Sequence, residues 1–78
     1  MHCSRDLGHD LAVAGYRTAD QMRAWIDAAY EGSRAAVFPG DLGYEIFVNT
    51  VQIGDIEVEV WIEQMDDRSA CIYYPSER

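Results

Sequence analysis

Lysine is missing from this sequence. All six basic residues are arginines, set against 14 aspartates and glutamates, for a formal charge of −8 over 78 residues. A chain this acidic does not hold a nucleic-acid backbone or an anionic membrane through charge. Cysteine is nearly missing too. Cys3 and Cys71 stand far apart and form no Cys-x-x-Cys pair, which removes zinc-ribbon and thioredoxin-type readings. No apolar run approaches the roughly 20 residues of a membrane helix. No basic segment followed by an apolar one marks a signal peptide. These absences point to a cytoplasmic protein of a bacterial host cell, with reduced thiols and no membrane.

Catalytic motifs are also lacking. Ser4, Ser33 and Ser69 have no nucleophile elbow around them, and neither cysteine has a base partner in sequence. Gly40-Asp41-Leu42-Gly43 is without the lysine of a phosphate loop. His2, Cys3 and His9 are three soft donors without a fourth, a poor metal site. His9 and Asp10 are neighbours in sequence, and neighbours on a helix do not face each other. The expectation is a protein that is not an enzyme and carries no metal or cofactor.

What is present reads as one small α+β domain spanning residues 1–78. Ser4 is placed to cap a helix from Arg5, with Leu7, Leu11 and Ala14 on one stripe and Gly15 as the stop. Thr18 and Gln21 fit a capping box, and Met22, Trp25, Ile26 and Ala29 follow at helical spacing. This predicts a second helix over residues 19–31, with Gly32 as its C′ residue and the Trp25 stripe facing the core. Residues 33–43 show no long element. From Tyr44 the period changes to two. Strands are expected over residues 44–53, 56–65 and 70–74, the first two joined by a Gly-first hairpin at Gly54-Asp55. The fold class is therefore two N-terminal helices packed on one face of a three-stranded antiparallel β-meander.

The hairpin fixes a register: Ile53 faces Ile56, Val51 faces Val58, Asn49 faces Val60 and Phe47 faces Ile62. One sheet face then holds Phe47, Val51, Ile53, Ile56, Val58, Val60 and Ile62, and packs on the helices. The other holds Tyr44, Ile46, Val48, Thr50, Glu57, Glu59, Trp61 and Glu63. The facing of the third strand stays open, because its turn length is ambiguous.

The candidate partner-binding residues are Asp55, Glu57, Glu59, Trp61, Glu63, Asp66 and Asp67. Same-face carboxylates lie about 6.8 Å apart along a strand. Their mutual repulsion in water is about 0.6 kcal/mol and is screened by salt. That charge is cheap, so it is equally consistent with a solvated face. Trp61 among the acids is the feature that suggests an interface. Spacing of about 7 Å resembles that of phosphates along a DNA strand. The implied partner is a basic, nucleic-acid-binding protein surface, met by a monomer rather than a dimer.

Small size, an acidic face and an Arg-only, Ala- and Gly-rich, phage-like composition together resemble the small anti-CRISPR proteins that mimic DNA. The resemblance covers size, charge and coarse architecture and rests on no motif. It implies a CRISPR effector complex as partner, with the PAM-reading part of a type I surveillance complex as the specific candidate. The alternative is a small structural or assembly subunit that pairs through an exposed sheet face at Tyr44, Ile46 and Trp61.

Overall fold

The computed structural model describes residues 2–36, 45–64 and 70–77. Two helices, α1 (Arg5–Val13) and α2 (Ala19–Glu31), precede most of a sheet built from β1 (His2–Cys3), β2 (Arg34–Ala36), β3 (Glu45–Ile53), β4 (Ile56–Gln64) and β5 (Ala70–Tyr73). A 3-10 turn, Pro75–Glu77, follows β5. The strand order is β1-β5-β4-β3-β2. The chain is α+β, with four antiparallel strands and the two-residue β1 added in parallel beside β5.

The helices begin where their capping residues dictate. The Ser4 hydroxyl accepts from the Leu7 amide, and Asp6 sits in the first turn, where the helix dipole favours an anion. Thr18 and Gln21 close a full capping box: Oγ1 of Thr18 accepts from the Gln21 amide, and the Gln21 side chain accepts from the Thr18 amide. Gly15, at φ 107°, ends α1 in a conformation that only glycine adopts readily. Gly32 differs from expectation. It caps α2 at φ −84°, and Ser33 closes the end through a bond to the Tyr30 carbonyl.

The expected hairpin register holds at every position from Glu45↔Gln64 to Ile53↔Ile56. Gly54 has φ 65° and Asp55 is not in the left-handed region, so the turn is of the Gly-first, type II′ kind. Apolar residues of β3, β4 and β5 then face both helices. Leu7, Leu11, Ile26, Ala29, Ile53, Val60, Ile62 and Ile72 form the buried cluster. Ile26 and Ala29 are its members from α2, while Trp25, on the stripe expected to face the core, packs against it only partly buried. The reason is an anchor on the sheet edge: the Trp25 indole N–H donates to the Gln52 carbonyl at 3.4 Å. Asn49, facing the helices among apolar residues, is satisfied by donating to the Ala29 carbonyl at 2.9 Å.

The three-stranded meander expected from sequence is corrected by two short strands. Arg34–Ala36 pairs with Ile46–Val48, and His2–Cys3 pairs with Cys71–Ile72. Strands of three and two residues are too short to display a period of two. They exist because the sheet edges offer backbone groups to bond.

Candidate functional site

The outer face of the sheet, away from the helices, is read in rows across the strands. One row is Tyr73, Trp61, Val48 and Arg34; the next is Cys71, Glu63, Ile46 and Ala36. Toward the hairpin, Glu59 lies opposite Thr50 and Glu57 opposite Gln52, with no β5 residue beside them. The face therefore divides into an apolar half around Trp61 and a polar half ending at Asp55.

Asp55, Glu57 and Glu59 are exposed, as expected. Alternation on β4 puts Glu57 and Glu59 on one side, about 6.8 Å apart, and the turn places Asp55 at the tip. Their cross-strand neighbours Gln52 and Thr50 are neutral, so on this half no arginine is set across from them.

Trp61 and Glu63 differ from expectation. Trp61 is half-buried rather than an open anchor. Its indole N–H donates to Glu59 Oε2 at 2.9 Å, and its ring meets Tyr73 edge-on at 6.5 Å between centroids. Glu63 is also half-buried, and the Tyr73 hydroxyl donates to its Oε1 at 3.2 Å. Ile46 and Val48, expected to be exposed on this face, are 0% and 7% exposed. The apolar half of the outer face is thus a second packed layer, and its tryptophan is held there by a neighbouring tyrosine and glutamate. Asp66, Asp67 and Tyr44 lie outside the described residues.

Tyr73 is the residue that sequence reasoning missed. It organises both Trp61 and Glu63, and the signal was hidden in the ambiguous register of the last strand. In the structure Ala70 and Ile72 point to the helices, and Cys71 and Tyr73 to the outer face. The Cys71 thiol is pushed above its ordinary value by burial and, secondarily, by the Glu63 carboxylate. A thiol held protonated is a poor nucleophile.

Between the end of α1 and the hairpin tip runs a shallow groove of about 240 Å³, lined by Asp10, Val13, Ala14, Ile53, Gly54, Asp55 and Ile56. Val13 and Ile56 are 71% and 56% exposed there. Among the described residues, no three His, Cys, Asp or Glu side chains group as they would around a metal ion. No helix among them is long and apolar enough to cross a membrane.

Compared with family models, with curated proteins and with solved structures, the chain matches none.

Proposed function

We propose that this protein binds a basic, nucleic-acid-binding surface of another protein and occludes it, with the carboxylates of β4 standing in for phosphates. The observation that carries this reading is the exposed series Asp55, Glu57 and Glu59, set at the end of a hairpin beside neutral neighbours. Carboxylates on a paired strand are held at fixed spacing, and a net charge of −8 steers association with a basic partner. The apolar half of the face supports the acids rather than acting as an anchor: Trp61 orients Glu59 through its indole N–H. Burial of Ile46 and half-burial of Trp61 favour this reading over self-pairing through the sheet face.

The resemblance to DNA-mimicking anti-CRISPR proteins supplies the partner to try first, the PAM-reading part of a type I CRISPR surveillance complex. The test is displacement of target DNA from purified type I complexes by the wild-type chain and by the E57Q/E59Q variant. Displacement by the wild type, strongly weakened in the variant and by added salt, is the expected result. Equal displacement by both proteins at physiological salt overturns the electrostatic face. No displacement by the wild type overturns this choice of partner.

A further inference from the structure

Among the described residues, the same two glutamates that present carboxylates also carry backbone groups with no backbone partner on one side. In a two-residue hairpin the residues flanking the turn, here Ile53 and Ile56, bond each other. Alternation then turns the N–H and C=O groups of Ile56, Val58 and Val60 toward β3, and those of Glu57, Glu59, Trp61 and Glu63 toward the opposite edge. Two contacts elsewhere agree with this parity. The Gln52 carbonyl, which it turns away from β4, is the one the Trp25 indole reaches. The Ile72 carbonyl, which it turns away from β4 on the other side, accepts from the Ser4 amide.

Trp61 and Glu63 find β5 on that edge. Glu57 and Glu59 do not, because β5 stops at Tyr73, opposite Trp61. The 3-10 turn at Pro75–Glu77 then packs near β4, but its internal bond runs from the Glu77 amide to the Tyr74 carbonyl. Among the described residues, no backbone group bonds the outward N–H and C=O groups of Glu57 and Glu59. Two donors and two acceptors therefore line the open edge between the hairpin tip and this turn.

We infer that this edge accepts an extended segment of the basic partner as an added β-strand, with the local pattern basic–apolar–basic. The inference rests on the proposed reading of the acidic face and adds how the partner is gripped. An antiparallel strand would pair two of its residues with Glu57 and Glu59, and directly paired residues share a face. Those two side chains meet the carboxylates, which selects arginine or lysine. The residue between them projects to the other face, toward Val58 and the exposed apolar margin of Ile56 and Val13. Main-chain bonds give such a contact its affinity and alternate side chains its specificity. A second copy of this chain is disfavoured as the occupant. Pairing β4 with itself would set Glu57 and Glu59 against their own equivalents, and like charges directly opposite are destabilising.

The test is an NMR titration of the ¹⁵N-labelled full chain with a short capped peptide of alternating Arg and Val, taken to millimolar concentration. Two controls accompany it: the same peptide N-methylated at its arginines, and a composition-matched peptide with the arginines in one block. The expected result is slowed exchange of the Glu57 and Glu59 amides with the alternating peptide, and binding weaker by about tenfold or more after N-methylation. Equal binding of all three peptides, lost in E57Q/E59Q, overturns strand addition and leaves the acidic-face reading intact. Binding unaffected by E57Q/E59Q overturns both. If the alternating peptide leaves exchange of these two amides unchanged, strand addition is overturned. Slowed exchange on raising protein concentration alone, without peptide, identifies a second copy and overturns the basic occupant.

Discussion

Tyr74 shows how much a single side chain contributes to joining the chain's two ends. Its hydroxyl donates to Asp10 Oδ2 at 2.6 Å, tying the residue after β5 to α1 across 64 positions. Burial first, and the hydrogen bond and charge of Asp10 after it, raise the phenol above its ordinary value. Because the folded-state value is raised, the neutral phenol favours the native state. That stability is fully present below the ordinary tyrosine value of about 10 and is lost as pH rises from there toward the raised folded value. Replacing Tyr74 with Phe should cost about 1 kcal/mol at neutral pH and flatten the alkaline limb of the stability profile. Urea melts at neutral pH and above pH 10 check both. An unchanged alkaline limb would show that another group controls it. The Cys71 thiol offers a second reading at this scale. Alkylation should be slow in the native chain and faster in E63Q, since the smaller of the two causes holding the thiol protonated is then removed.

At the level of elements, the hairpin is the piece on which everything else depends. Gly54 at φ 65° makes its turn possible, and β3 and β4 together carry Ile53, Val60 and Ile62 into the core. Gly54→Ala should destabilise the fold by about 1 kcal/mol. Nothing crowds the site, since an added Cβ would come no closer than 3.8 Å, to Ala14. The cost would therefore be conformational rather than steric. Ile62→Ala, at a fully buried position, should cost about 2–5 kcal/mol. A chain of this length has about 4–12 kcal/mol in all, so this variant should be marginal or unfolded by circular dichroism. The hairpin, the two helix N-caps and the Gly15 stop of α1 were legible in the sequence because each is decided within four or so residues: Thr18 and Gln21, Ser4 and Leu7, Gly54 and Asp55. The facing of β5 was not, because one residue more or less in a turn flips every side chain.

At the scale of the whole molecule, the described residues bury apolar side chains on both faces of the sheet. Among the described residues no charged or polar side chain is buried. With a net charge of −8, self-repulsion acts on the folded chain everywhere at once. Thermal stability should therefore rise as salt is raised from low to physiological concentration, where charges beyond about 8–10 Å are screened. Binding of a basic partner should weaken over the same range. Opposite salt responses of folding and binding, by melting curves and by titration on one sample, are the expected signature. A partner bound independently of salt would indicate that the acidic hairpin end is not the contact.

The sequence by itself determined the helices, their N-caps, the hairpin and its register, and so which residues of β4 face inward and which outward. Those features follow from local geometry: a helix period, a side-chain oxygen within reach of a nearby amide, a turn that needs a positive φ. Only the tertiary structure decided that the outer face is half packed and half open. That outcome depends on Tyr73 meeting Trp61, on Ile46 and Val48 being buried, and on where β5 stops along β4. Each brings together residues distant in the chain, and no local pattern encodes their meeting. The same long-range accounting separates Glu57 and Glu59, both exposed, from Glu63, which looks equivalent in sequence and is half-buried against a tyrosine in the fold.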